Sequence, residues 1–177
     1  SLVGSEMCIR DRIYGIGAFS LSKDINVSVY EAKKYINDYL HKFPNVEKFM
    51  NETVEKAKKD GYVTTMFGRK RYVPELSASN KNMQAAGKRI AMNTPIQGSA
   101  ADIIKIAMVR VYGRLKKEIP EARLILQVHD ELIVECSEND ADRAAEILSE
   151  EMTHACELKV PLIADVNRGG SWYDAKG

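Results

Sequence analysis

Residues 124–136 read LILQVHDELIVEC, two short runs of Leu, Ile and Val separated by His129, Asp130 and Glu131. Short runs of this composition are β-prone. Burying two carboxylates in the middle of one continuous strand would cost several kcal/mol each unless they were paired. An antiparallel hairpin avoids that cost. Residues 124–128 and 132–136 pair, and the three polar side chains sit at or near the turn, at the end of the sheet instead of in its interior. Asp is a favoured turn residue for its own reasons.

The rest of the chain supplies mostly helices to cover that hairpin. In INVSVYEAKKYINDYLHKF, Ser28 is an N-cap and Glu31, three residues on, completes a capping box; Val29, Tyr35 or Ile36, Tyr39, Leu40 and Phe43 form the apolar face. Pro44 ends this helix or opens the next, over 45–59, which Gly61 stops. YVTTMFGRKRYVP reads as a short hairpin about Phe67 and Gly68. A long helical region over 80–118 is broken by Pro95, an acidic amphipathic helix covers 139–157, and PLIADVNRGGSW reads as a last strand with a Gly-Gly turn. Helices in the first half and hairpin, helix and strand in the second make an α+β chain whose antiparallel sheet is covered by helices. The opening SLVGSEMCIRDR follows no period and reads as a translated sequencing-adapter sequence, so 1–12 is set apart as non-native.

The 177 residues suffice for a domain with a real core. No apolar stretch reaches the length of a membrane span, and no secretory signal opens the chain. Cys8, Cys136 and Cys156 are odd in number and fit neither a disulfide frame nor a zinc spacing, which points to a reducing, cytosolic setting. The net charge of +1 conceals a polarity: residues 56–117 hold 14 Lys/Arg against 3 Asp/Glu, and 118–177 hold 5 against 14. A basic block followed by an acidic one suits a polyanion-binding surface beside one that binds cations; two solvated faces that merely differ would give the same count.

Three stretches could carry chemistry. At the hairpin tip, Asp130 is a candidate ligand for a hard cation such as Mg²⁺, which takes carboxylate oxygens together with phosphate and water. His129 could hydrogen-bond a sugar or phosphate. An ordinary polar turn accounts for the same residues. In KRIAMNTPIQGSAADIIK, Arg89, Asn93 and Gln97 recur every four residues, one stripe on a helix. Such a row suits phosphates, sugars and the acceptors of the minor groove; a solvated stripe fits too. Arg69 and Arg71 share a strand face suited to a nucleic-acid backbone. Tyr14, beside Gly15 and Gly17, could stack on a base or simply be buried.

Taken in order, IYGIGAFSLS, TMFGRKRYVPEL, RIAMNTPIQGSAADIIK, LQVHDELIVE and GSWYDAKG resemble the C-terminal part of the family A DNA polymerases, the bacterial DNA polymerase I type. The resemblance runs from residue 13 to the end. It implies a fingers remnant and hairpin over 13–80 and part of the palm over 81–177. It further implies that Asp130 is the second metal-binding catalytic aspartate, Glu131 its neighbour and His129 a residue near the primer terminus. Arg89, Asn93 and Gln97 would contact template–primer DNA, Arg69 and Arg71 would touch the same DNA, and Tyr14 would lie beside the nascent pair. Two Mg²⁺ ions, deoxynucleoside triphosphates and template–primer DNA are the implied cofactors and partners, with no membrane and no obligate protein partner. A bacterial cytoplasmic or phage-encoded origin follows. The family's first catalytic aspartate and its triphosphate-holding Arg and Lys lie upstream of the matched stretch, so the chain alone is expected not to polymerise. A non-catalytic nucleic-acid-binding module is the competing expectation; a metal-dependent nuclease has less support, because only one compact carboxylate cluster is present.

Overall fold

The computed structural model describes residues 17–176. Tyr14 and the segment 1–12 lie outside the described residues. Contacts divide the chain into two compact units, 1–99 and 100–177.

In the first unit, α1 (Ala18–Asp24), α2 (Val29–Lys42) and α3 (Pro44–Asp60) follow one another. The capping box is as the sequence predicts: the Ser28 hydroxyl accepts from the Glu31 amide at 3.2 Å, and the Glu31 carboxylate accepts from the Ser28 amide at 3.0 Å. That pairing satisfies two of the amides every helix start leaves open, and the Ser28 contacts hold the Glu31 carboxyl below its ordinary pKa. Pro44 stands at the first turn of α3, where its missing N–H costs nothing. Gly61 closes α3 in the left-handed region (φ 78°), a conformation that a Cβ would strain. Leu21, Ala32, Ile36 and Leu40 form one apolar cluster of this unit.

A second cluster, Val54, Ala57, Val63, Val73, Leu76 and Ala91, ties α3 to the next elements. These are a hairpin, β1 (Tyr62–Thr64) with β2 (Lys70–Tyr72), a 3₁₀ turn (Pro74–Ser77) and α4 (Lys81–Asn93). Asn80 caps α4 by accepting from the amide of Asn82 at 2.8 Å. At Pro95, where the sequence predicts a break within the helical region, the run continues. The proline sits in a π-helical turn, Thr94–Gly98, that leads directly into α5 (Ser99–Glu118). Proline removes one helical donor and crowds the carbonyl four residues back, and a widened turn relieves both.

In the second unit α5 is followed by β3 (Arg123–Val128) and β4 (Glu131–Glu135), which pair antiparallel, then a 3₁₀ turn (Glu138–Asp140) and α6 (Ala141–Thr153). Val111, Leu115, Ile119, Ala144 and Ile147 are its core; Leu124, Leu132 and Val134 of the hairpin pack on them. The acidic helix is thus shorter than the expected 139–157. The last strand is corrected outright. Residues 161–168 are not part of any ladder among the described residues, and only a short helix, α7 (Trp172–Lys176), follows. The segment has β-prone side chains and alternates half-buried and exposed from 161 to 167, but alternation alone makes an extended chain; a strand also needs a neighbour to bond. With helices and two-stranded antiparallel sheets throughout, the α+β reading stands.

Candidate functional site

The two groups of candidate residues belong to different units. In the second unit Val128 pairs with Glu131, so His129 and Asp130 are the whole loop of the β3–β4 hairpin. His129 takes φ 53°, one of the positive-φ non-glycine residues among those described. Asn, Asp and His are the side chains best tolerated there. The Gln127 carboxamide donates to the His129 carbonyl at 2.6 Å, tying the loop back to its own strand. His129 and Asp130 are exposed, so the Asp130 carboxylate stands open at the apex.

A register shift between Leu124 and Leu126 decides which way the hairpin faces. Leu124, Leu132 and Val134 point to the helices. Beyond the shift Leu126 pairs with Ile133 and Val128 with Glu131, on the opposite face, where Leu126 and Ile125 are each 48% exposed. A bulge that adds one residue to one strand re-aims everything after it. In β4, which has no extra residue, side chains alternate, so Glu131 lies on the face opposite Leu132 and Val134, beside the loop. Lys176 of α7 approaches it at 3.8 Å and also lies over the Trp172 ring, 5.3 Å from its centroid.

Asp130 and Glu131 offer the hard oxygens that Mg²⁺ takes, and Asp130 is unobstructed, so the donor chemistry fits as part of a ligand set. Among the described residues no group of three or more His, Cys, Asp or Glu side chains stands close enough together to hold an ion. Cys136 and Cys156 are free thiols, and burial pushes the Cys136 thiol upward, away from the reactive thiolate.

In the first unit Arg89 and Gln97 are exposed, on α4 and the π-turn, and Asn93 between them is half-buried with its carboxamide oxygen covered. The stripe is thus not uniform: its middle member is partly taken into the protein. Arg71 lies in β2, opposite Val63. Arg69 precedes β2, and its guanidinium donates to the Gly98 carbonyl at 3.1 Å, joining hairpin to π-turn. The other face of the hairpin carries Tyr62 against Tyr72, ring centroids 5.9 Å apart, with Lys70 over the Tyr62 ring at 4.3 Å. Tyr72 is 72% exposed and Lys70 is exposed. This basic and aromatic face was not singled out from the sequence. The Tyr-x₇-Lys-x-Tyr spacing that produces it is legible only once the register is known.

A profile of DNA polymerase family A matches residues 11–174. The chain belongs to DNA polymerase family A. Among its relatives in the family, DNA polymerase I of Bacillus caldotenax is 47% identical over 164 residues and that of Caldicellulosiruptor bescii 44% over the same length; each alignment covers 93% of this chain and 19% of the relative. The solved structure of the POL domain of Pol1 from M. smegmatis, in complex with DNA primer-template and dNTP, superposes with a TM-score of 0.91 at 40% identity. That match covers 97% of this chain and 30% of the other. The chain therefore spans about a fifth of the length of the curated family A relatives it matches. Among the described residues no helix is long and apolar enough to cross a membrane.

Proposed function

We propose that this chain is the C-terminal part of a DNA-directed DNA polymerase, with residues 13–80 the end of the fingers and the following hairpin and 81–177 part of the palm. The reaction is template-directed nucleotidyl transfer: the oxygen of the primer 3′-hydroxyl bonds to the α-phosphorus of a deoxynucleoside triphosphate, the bond to the β-phosphate oxygen breaks, and pyrophosphate leaves. The observation that carries the reading is the exposed carboxylate of Asp130 on a two-residue loop, in a chain of this family.

Asp130, with Glu131 beside it, would hold divalent metal. When bound, two Mg²⁺ ions would lower the pKa of the attacking hydroxyl and offset charge building on the phosphate. The chain's own part is positioning. The loop, tied back through the His129 carbonyl, would present the Asp130 carboxylate at the apex, and His129 would meet a sugar or phosphate of the primer end. Arg89, Asn93 and Gln97 would bind template–primer DNA through the backbone and minor groove, where every base pair presents acceptors. Arg69 and Arg71 would add backbone contacts, and Tyr14 would stand beside the nascent pair. Roles in replication and repair, in a bacterial or phage-infected cytoplasm, follow from this assignment.

The test is Asp130→Asn in a full-length DNA polymerase I carrying this segment. Nearly isosteric, the substitution removes one charge and leaves the hairpin intact. Primer extension should fall by at least about 10³-fold, the scale of losing a group that stabilises transition-state charge, while primer–template affinity holds. Full synthesis by the variant would instead make the loop an ordinary turn on a nucleic-acid-binding module. The isolated 177-residue chain should not extend a primer even with Mg²⁺, because the resemblance places the partner aspartate upstream of the matched stretch.

A further inference from the structure

The π-turn is fastened to the β1–β2 loop from several directions. The Ser99 hydroxyl accepts from the Met66 amide at 2.9 Å and donates to the Pro95 carbonyl. Arg69 donates to the Gly98 carbonyl at 3.1 Å. The Thr94 hydroxyl donates to the Ile90 carbonyl at 2.7 Å, at the point where the helix widens. The loop is itself closed: the Thr65 amide bonds the Arg69 carbonyl at 3.0 Å, and the Thr65 hydroxyl accepts from the Arg69 amide at 3.2 Å. Gly98 has no room for a side chain, since a Cβ there would stand 2.7 Å from the Thr65 methyl. Among the described residues Ser22, Thr65, Thr94 and Ser99 are the buried polar ones, and three of these four meet at this junction. Buried hydroxyls are costly unless bonded, so their concentration here points to a geometry that is held deliberately.

Gln97 lies within the turn that these bonds fasten. In a regular α-helix residues four apart drift about 40° around the axis, so a row of three spreads over a wide arc. A π-turn, with its i→i+5 closure, works against that drift between Asn93 and Gln97. Gln97 itself is exposed.

We propose that Ser99 and Arg69 are positioning residues for Gln97: through the Pro95 and Gly98 carbonyls they fix the π-turn so that Gln97 lines up with Arg89 to engage template–primer DNA. This rests on the nucleic-acid reading given above. Ser99 is 6% exposed, so any influence it has on a polymer ligand passes through its neighbours.

A double-mutant cycle in a full-length DNA polymerase I carrying this segment decides the matter. The readouts are primer–template Kd by fluorescence anisotropy and the ratio of extension from matched and mismatched primer ends. Gln97→Ala should weaken binding or lower that ratio by about tenfold. Ser99→Ala should reproduce about three- to tenfold of it, and the double variant should be no worse than Gln97→Ala, because groups acting through one another are not additive. Arg69→Ala, at an exposed position, should couple to Gln97→Ala in the same way, over and above the loss of its own backbone contact, and carries the cycle if Ser99→Ala does not fold. Should Gln97→Ala matter while Ser99→Ala and Arg69→Ala are silent or add in full, the positioning role is overturned and the nucleic-acid reading stands; full additivity of Arg69→Ala alone would assign it a direct DNA contact. A silent Gln97→Ala overturns both.

Discussion

Val128 faces Glu131 across the β3–β4 ladder, and everything that distinguishes this hairpin is compressed into the two residues between them. The first of the two, His129, carries the strain, at φ 53°; the second, Asp130, carries the exposed carboxylate. A left-handed residue with a Cβ costs about 1–2 kcal/mol, less for His than for a β-branched side chain. His129→Val should therefore destabilise the chain by about 1–2 kcal/mol, while His129→Gly should be neutral or slightly stabilising, as read from urea midpoints. If both substitutions were equally harmful, the imidazole would have a structural role that its exposure does not suggest.

Two helical-region glycines make opposite predictions. At Gly98 an added methyl collides with Thr65 at 2.7 Å, and Thr65 is itself buried. Gly98→Ala should cost about 1–3 kcal/mol by overpacking. At Gly113, inside α5, a Cβ meets nothing within 4 Å. Gly113→Ala should raise stability by about 0.4–1 kcal/mol, because alanine loses less backbone entropy on becoming helical. Thermal denaturation of the two variants, side by side, separates close approach from conformational freedom.

Local chemistry was what the sequence revealed best. The Ser28–Glu31 box, Pro44, Gly61 and both hairpins are decided by a few neighbouring residues, and they stand where those residues predict. What was not legible depends on neighbours far along the chain. The 161–168 segment has a strand's alternation but no ladder partner among the described residues. Pro95 reads as a break; the widened turn that lets the helix continue is fastened by bonds from Met66 and Arg69, some thirty residues back along the chain. The even spacing of Arg89, Asn93 and Gln97 concealed that Asn93 is drawn partly inside. The apex position of Asp130 was legible, because a carboxylate between two apolar runs has few other places to go.

The Ser28 cap gives a direct check on the start of α2. Its hydroxyl serves both the Glu31 amide and the Glu31 carboxylate, the latter at 2.7 Å. Ser28→Ala should cost about 1 kcal/mol, and Ser28→Asp should recover most of it, since aspartate also accepts from the helix amides and suits the helix N-terminus. Urea midpoints for the pair test this; failure of Asp to recover stability would show that the reciprocal Glu31 bond, which a carboxylate would repel, matters more than the cap itself.

The second unit has an acid-sensitive fastening. Arg114 of α5 meets Glu150 at 2.5 Å and Glu151 at 3.0 Å on α6, and Glu118 at 3.0 Å on its own helix; Arg143 of α6 reaches back to Glu118 at 2.6 Å. Hydrogen bonds from Arg114, then Arg143, hold the Glu118 carboxyl below its ordinary pKa, and Arg114 does the same for Glu150. A carboxyl whose pKa is depressed by folding is protonated more readily in the unfolded chain. Its contribution is therefore complete above the ordinary glutamate value of about 4.3 and is lost as pH falls from there through the lower folded-state value. The urea midpoint should drop across that acid window and stay level above it. In Arg114→Met, which keeps much of the stem's packing but removes the charge, the drop should be shallower, and added salt should produce the same flattening in the unsubstituted chain because the network lies at the surface. An unchanged acid slope in Arg114→Met would place the acid sensitivity on other carboxylates, with α5 and α6 still joined through Val111, Leu115, Ala144 and Ile147 and through the Arg110 guanidinium, which donates to the His154 carbonyl at 2.6 Å.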